Sequence, residues 1–352
     1  MKKITILTVL VLLGVGQAFG QGNKSEKLTL KQGDDIYLTY ELRDNVTLEP
    51  VQYTNRYGIT IAAHLFYPKN IDKSKKYPAI LIGTPYGGVK EQGAGVYAMN
   101  MAERGFVAMA FDESFNGESG GQPRDVSSPD IFVEDFSAGV DYLGTRSFVD
   151  REKIGVIGIC GSGGFSLTAA QVDHRIKAIA TTSMYDISDF IRNGLGRYLT
   201  DEQRNQMLDQ LGEQRWKDFE NGKPAMPHGG FPAQPAEAVP EGLPPVFAEF
   251  FEYYGMKRGW HPNIVDNFTQ TSTMAFMNFP LLTHLEDISP RPVLMIAGEN
   301  AHSLYYTKEA YEKAADPKEI LIIPGARHID LYDREDVIPF DKLETFFKTK
   351  LK

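Results

Sequence analysis

The sequence has 352 residues and only one cysteine, Cys160. A single thiol cannot form an intrachain disulfide, so a disulfide-stabilised framework is excluded. The seven histidines include no pair at H-x-x-x-H spacing, and the sequence therefore predicts no metal site. An excess of positive charge is also missing. The net charge of −9 argues against nucleic acid and anionic membranes as partners.

Apolar runs of more than about ten residues are confined to the N-terminus, which reads MKKITILTVLVLLGVGQAFGQG. Lys2 and Lys3 precede an apolar stretch that is too short and too interrupted by glycine for a comfortable membrane span. Ala18-Phe19-Gly20 has the small-x-small pattern of a cleavage site. The pattern predicts a cleaved signal peptide over residues 1–20, a secreted or periplasmic protein and no stable membrane anchor. An uncleaved anchor helix is the alternative.

Downstream, short apolar runs alternate with amphipathic segments from about residue 46. Apolar strands that alternate with helices are typical of a parallel sheet covered on both faces. We therefore expect an α/β protein with a doubly wound, mostly parallel sheet, formed by residues 28–186 and 289–352. The alternation stops over residues 187–288, which contain helical pieces and a loop rich in proline and glycine. This segment is predicted to be a helical cap inserted late in the sheet.

The segment KIGVIGICGSGGFS, residues 153–166, runs from an apolar strand directly into small residues. Neither of its possible glycine frames completes G-x-G-x-x-G, and no P-loop lysine follows, so nucleotide binding is not expected. The pattern instead favours a nucleophile elbow, a sharp turn between a strand and a helix. We expect Cys160 to be the nucleophile, with Ser162 as the alternative. A thiol at the start of a helix should have a lowered pKa.

Four segments carry a resemblance to the α/β-hydrolase superfamily, over roughly residues 46–350: GTPYGGVKEQ, FDESFNGESGG, GICGSGG and GARHIDLYD. The chain resembles the dienelactone hydrolase-like and X-Pro dipeptidyl-peptidase (S15)-like groups. The resemblance implies an α/β-hydrolase fold with a Cys-type elbow and no cofactor. Ser162 departs from the G-x-C-x-G elbow, and Pro85 stands where dienelactone hydrolases have a glutamate near the thiol. Dienelactone itself is therefore not the expected substrate.

The remaining catalytic groups follow from chain order, since the histidine of such a site comes last. His328 directly follows the final predicted strand and is the expected general base. Related enzymes place an aspartate about three residues after the glycine of IAGE, where this chain has Ala301. Glu299 is the candidate acid in that loop, and Asp186 and Asp330 are the alternatives.

The oxyanion donors are expected to be the backbone N–H of Gly161 and, as the resemblance implies, that of Tyr86 or Gly87. The predicted substrate contacts are His302 and the cap aromatics Phe250, Tyr254 and Trp260. The aromatics could equally form the cap's own core.

We therefore expect a hydrolase that cleaves a small-molecule ester, thioester or lactone through a Cys-His-acid triad and an acyl-enzyme. A Ser162 esterase or peptidase, an acyltransferase and a non-catalytic ligand-binding protein are the alternatives. The sequence leaves the acyl group and the oligomeric state open.

Overall fold

A computed structural model describes residues 36–352 of the chain. The predicted signal peptide, residues 1–20, lies outside the described residues. Eight strands form one sheet in the order β1-β2-β4-β3-β5-β6-β7-β8. The strands are β1 (Val46–Thr54), β2 (Thr60–Pro68), β3 (Tyr77–Gly83), β4 (Val107–Phe111), β5 (Val149–Ile159), β6 (Ile176–Thr182), β7 (Val293–Gly298) and β8 (Lys318–Ile323).

Strands β1 and β2 form an antiparallel hairpin, and β2 pairs antiparallel with β4. All pairings from β4 through β3 to β8 are parallel. The central strands are continuous apolar runs because helices cover both faces, and every residue of β4 is buried. The predicted α/β-hydrolase architecture, a doubly wound and mostly parallel sheet, is confirmed.

From β3 onward helices alternate with the strands, and α1 packs near α10 while α2 packs against α3. The helices are α1 (Gly93–Glu103), α2 (Pro129–Gly144), α3 (Gly161–Val172), α4 (Ile187–Asn193), α5 (Asp201–Asn221), α6 (Pro245–Tyr254), α7 (Thr273–Phe276), α8 (Leu304–Lys313), α9 (Asp330–Asp333) and α10 (Phe340–Lys350). Within residues 36–352, none of the helices combines the length and the apolar character that a membrane span requires.

The segment between β6 and β7, two neighbouring strands of the sheet, contains α4 to α7. Its longest helix, α5, begins with a capping box in which Thr200 and Gln203 exchange hydrogen bonds between side chain and backbone. It ends at Gly222, which adopts the left-handed conformation that glycine accepts without strain. This segment, the predicted cap, is called the cap below. It lies at the carboxyl edge of the sheet, where the loops after β5, β6, β7 and β8 also meet.

Candidate active site

Cys160 occupies the sharp turn between β5 and α3. Its backbone has φ 53° and ψ −117°, a conformation that residues with a side chain rarely adopt. Strain of this kind costs roughly 1–3 kcal/mol, and it persists only where the surrounding structure enforces it. The turn places the thiol at the start of α3 and on the wall of a large cavity. This is the geometry of a nucleophile elbow.

The residues around the turn are small because the backbones approach each other closely. A Cβ on Gly158 would overlap the carbonyl oxygen of Ser162 and the hydroxyl of Ser166. A Cβ on Gly161 would lie 2.7 Å from the Cβ of Tyr86. Ser162 itself fits, although related elbows have glycine there, because its neighbour on β3 is Gly83. A Cβ on Gly83 would lie 2.7 Å from the Ser162 Cβ.

Ser162, the alternative nucleophile, lies in the first turn of α3 and is fully buried. Its hydroxyl donates to the carboxyl group of Glu113 over 3.3 Å. Burial raises the pKa of Glu113 well above its ordinary value, and the neighbouring Asp135 adds to the effect. Cys160 contributes to the cavity wall and Ser162 does not.

Three neighbouring groups lower the pKa of the Cys160 thiol. Two of them are the backbone N–H groups of Tyr86 and Gly161, which are two of the three predicted oxyanion donors. The third predicted donor, Gly87, lies in a tight turn with φ 82°, where a Cβ would overlap the carbonyl oxygen of Val265. The two backbone N–H groups come from separate parts of the chain, Tyr86 from the turn after β3 and Gly161 from the first residue of α3.

The third neighbour of the sulfur is the hydroxyl of Tyr332, on α9. Burial raises the pKa of the Cys160 thiol to about 11, and these three polar groups only partly offset it. The expectation that the α3 N-terminus lowers this pKa is wrong, because the thiol is almost fully removed from water. The resting group is therefore the neutral thiol.

His328 is fully buried in the loop between β8 and α9. Its Nε2 lies 2.9 Å from the Tyr332 hydroxyl, and its Nδ1 lies 2.6 Å from the hydroxyl of Ser303. Burial lowers the pKa of His328 well below its ordinary value, and the neighbouring His302 lowers it further. The structure thus places His328 against the Tyr332 hydroxyl, the same group that lowers the pKa of the Cys160 thiol.

The structure does not bring Glu299 to His328. Glu299 is exposed, and its carboxylate accepts the backbone N–H of Gly325 over 2.9 Å. The position beside Nδ1 of His328 is taken by Ser303, the residue immediately before α8. Within residues 36–352, both hydrogen bonds of the imidazole go to hydroxyl groups.

Neither of the other two candidate acids is a partner of the imidazole. Asp186 caps α4 by accepting the backbone N–H of Asp189, and burial raises its pKa to about 6. Burial alone would raise the pKa of Asp330, but the backbone N–H and guanidinium of Arg327 hold it below its ordinary value. Both carboxylates accept hydrogen bonds from nearby backbone N–H groups, and the structure does not bring either to His328.

The cavity beside Cys160 has a volume of about 720 Å³ and is enclosed mostly by apolar and aromatic side chains. Of the predicted substrate contacts, Phe250 and Tyr254 line it. Trp260 lies outside the lining, and its indole N–H donates to the carbonyl oxygen of Pro232. His302 also lies outside the lining, behind the ring of Phe250 at a centroid distance of 5.3 Å. The cavity is of the size that holds a drug-sized ligand.

Sequence reasoning missed Tyr332 and Ser303. Tyr332 follows His328 by four residues in the motif HIDLYD, a spacing that puts two side chains on one side of a helical turn. That spacing could have identified Tyr332 as a neighbour of His328. No sequence signal identified Ser303, since a serine before a helix usually caps that helix. Within residues 36–352, no group of three or more histidine, cysteine or carboxylate side chains is arranged to hold a metal ion.

Comparison with known proteins identifies relatives over nearly the whole chain. The sequence model described as X-Pro dipeptidyl-peptidase (S15 family) matches residues 57–222. The uncharacterized protein PA2218 of Pseudomonas aeruginosa is 49% identical over 333 residues, which is 94% of this chain and 87% of the relative. Its crystal structure superposes with a TM-score of 0.85, covering 92% of this chain and 99% of that one.

Two further relatives extend this group. The uncharacterized protein YcjY of Escherichia coli is 36% identical over 287 residues, 80% of this chain and 92% of YcjY. GrgF from Penicillium sp. sh18, described as an α/β hydrolase, has 20% sequence identity and a TM-score of 0.70, covering 87% of this chain and 99% of GrgF. In the sequence comparison GrgF is named a polyketide transferase. At this identity the likeness to GrgF shows the fold alone.

Proposed function

The chain belongs to the family of α/β hydrolases that is described by the X-Pro dipeptidyl-peptidase (S15) model, and from this premise we propose that it cleaves an ester, thioester or lactone through an acyl-enzyme on Cys160. The proposal includes export, because the N-terminal pattern is that of a cleaved signal peptide. The observation that carries it is the position of the thiol. Cys160 sits at a strained turn on the cavity wall, directly before Gly161, and the backbone of Tyr86 packs closely against Gly161.

In the first step the sulfur of Cys160 attacks the carbonyl carbon of the substrate. The thiol proton passes to the Tyr332 oxygen while the Tyr332 hydroxyl proton passes to Nε2 of His328. The carbonyl oxygen becomes an oxyanion and accepts hydrogen bonds from the N–H groups of Tyr86 and Gly161. When the carbon–oxygen or carbon–sulfur bond to the leaving group breaks, the proton returns along the same path to that group.

The second step reverses these roles with water as the nucleophile. Water attacks the thioester carbonyl and gives a proton to His328 through Tyr332. The carbon–sulfur bond then breaks, the sulfur recovers the proton and the carboxylic acid leaves. Because Nδ1–H can donate to Ser303, Nε2 is free to accept the proton in both steps. The raised pKa of Cys160 and the lowered pKa of His328 favour a neutral resting pair, so the proton moves together with the attack.

Acyl transfer is the second candidate, in which an acceptor other than water releases the acyl group. The mostly apolar lining of the cavity favours it, because such a wall limits the access of water to the thioester. A relative of 24% identity carries the name polyketide transferase, which agrees with this candidate.

The test compares Cys160→Ala with Ser162→Ala on p-nitrophenyl esters. We expect Cys160→Ala to lose hydrolysis by at least about a thousandfold, since the nucleophile is removed. Ser162→Ala should keep most of its rate, and iodoacetamide should abolish the activity with one label per chain. The reversed pattern would assign the role to Ser162. Hydrolysis at the uncatalysed background rate in the wild type and in both variants would instead indicate a ligand-binding protein, and an acceptor-dependent rate would indicate acyl transfer.

A further inference from the structure

The imidazole of His328 becomes positively charged in the reaction proposed above, yet both of its ring nitrogens bond to neutral hydroxyls. A buried imidazolium without a nearby negative charge is costly. The loop after β7, where related enzymes carry the acid, offers Ala301, His302 and Ser303 instead. The compensating charge must therefore come from another element.

His302 lies directly against His328. Their ring centroids are 4.6 Å apart with an angle of 34° between the planes. Nδ1 of His302 lies 3.2 Å from the Oε2 atom of Glu249, which belongs to the cap helix α6. The other carboxylate oxygen of Glu249 accepts the backbone N–H of Ile329, the residue after His328, over 3.1 Å. The Glu249 carboxylate thus binds both the ring of His302, which lies against His328, and the backbone directly after His328.

Glu249 is well suited to remain ionised. Burial alone would raise its pKa, but the hydrogen bonds from His302 and from the Ile329 N–H hold the pKa below its ordinary value. Its side chain is 12% exposed, so the charge is only weakly screened by water. When Nδ1–H of His302 donates to Oε2 and Nε2 carries no proton, the pair of side chains has one net negative charge.

We propose that Glu249 of the cap is the acidic group of this site, and that it stabilises the His328 imidazolium through His302 rather than by direct contact. Glu249 and His302 are positioning residues in this scheme, since neither lines the cavity. The proposal rests on the proposed reaction at Cys160. The same helix contributes Phe250, Phe251 and Tyr254 to the cavity wall, so the charge is placed by the element that contacts the substrate.

The test is Glu249→Gln, which removes the charge and keeps an oxygen acceptor for the Ile329 N–H. We expect kcat for a p-nitrophenyl ester to fall about 10- to 100-fold, because charge stabilisation in a buried site is strong. KM should stay within about twofold, because Glu249 is not part of the cavity wall. The rate of Cys160 alkylation by iodoacetamide, measured separately, should fall with kcat.

Glu252→Gln is the matched control. Glu252 lies on the same helix and pairs with Arg327, next to His328, over 2.8 Å, so its loss also removes an ion pair between α6 and this loop. Its kcat should stay within about twofold of the wild type. Equal kcat values for the two glutamine variants would overturn the proposal.

A second variant, His302→Gln, tests the path. When Glu249→Gln is added to the His302→Gln variant, kcat should fall little further, because both changes interrupt the same route from Glu249 to His328. If the kcat losses of the two single variants multiply in the double variant, the route through His302 is overturned. If Glu249→Gln does not fold, the kcat of His302→Gln alone decides, and a wild-type value overturns the proposal. Full activity in Cys160→Ala, run in parallel, would contradict the proposed reaction rather than the role of Glu249.

Discussion

At the scale of single residues, the proposed reaction of the Cys160 thiol depends on one hydroxyl group. The hydroxyl of Tyr332 lowers the pKa of the Cys160 thiol and lies 2.9 Å from Nε2 of His328. Burial raises the pKa of Tyr332 well above its ordinary value, so it does not act as a phenolate at neutral pH. It can nevertheless pass a proton by accepting one and donating another in the same step. The residue that follows the base by one helical turn therefore becomes part of the proposed catalytic path.

Replacing Tyr332 with phenylalanine should lower kcat about 100-fold, because the ring is kept and only the proton path is removed. Steady-state hydrolysis of a p-nitrophenyl ester measures this. Tyr97→Phe is the control, since it also removes one buried tyrosine hydroxyl, which donates to the carbonyl oxygen of Leu331 over 2.7 Å. Both variants should lose about 1 kcal/mol of stability. Wild-type kcat in Tyr332→Phe would mean that the proton reaches His328 by another route.

At the scale of elements, the β5–α3 turn is held by contacts that leave no room for side chains. Gly158 is the second-to-last residue of β5 and lies against the first residues of α3. Gly83 on β3 has no side chain and so leaves space for Ser162. The strained backbone of Cys160 is a consequence of this packing, because strand and helix meet within one residue. The elbow geometry thus belongs to β3, β5 and α3 together and not to Cys160 alone.

Gly158→Ala should destabilise the fold by about 3 kcal/mol or more and abolish activity, because its methyl group would overlap a backbone oxygen. Urea unfolding followed by circular dichroism measures the change. Gly212→Ala is the matched control. It lies in the middle of α5 with nothing within 4 Å of the new methyl group, and it should stabilise the protein by about 0.5–1 kcal/mol. Equal effects of the two changes would show that the close approach at the elbow is not limiting.

At the scale of the whole molecule, the cavity exists because the cap covers the carboxyl edge of the sheet. The sheet side contributes Cys160 and Tyr86, and the cap contributes the buried side chains of Met207 and Leu211. Exposed polar residues on the same helix, α5, stand at the rim: Gln210, Glu213 and Lys217. An apolar interior with a polar rim suits an apolar acyl group whose leaving group faces water.

Activity should therefore rise with acyl length across p-nitrophenyl acetate, butyrate and octanoate. Each added methylene that is buried contributes up to about 0.8 kcal/mol, which is at most a fourfold gain in kcat/KM. Leu211→Ser should flatten this dependence. Trp216→Ala should leave it unchanged, since Trp216 lies on α5 but is 66% exposed and outside the cavity. A preference for acetate over octanoate would contradict an apolar acyl site.

The sequence alone determined the architecture and the elbow. Local sequence patterns predict strands, helices and a tight turn, because a buried parallel strand and a sharp turn each require particular residues at adjacent positions. For this reason the sheet followed from the alternation of apolar and amphipathic segments along the chain. The position of Cys160 at the end of β5 followed from residues 153–166, and the position of His328 followed from chain order. The roles of both residues, and the residue bounds of the cap, remain predictions.

Only the tertiary structure decided which groups surround these two side chains. The protonation of Cys160 is set by burial, which sums over many distant segments and outweighs the local helix N-terminus. The partners of His328 come from separate elements, so no spacing in the chain could reveal that Ser303 stands where an acid was expected, or that Glu249 reaches the site from the cap. Contacts between loops depend on how the whole chain packs, and local sequence carries no record of them.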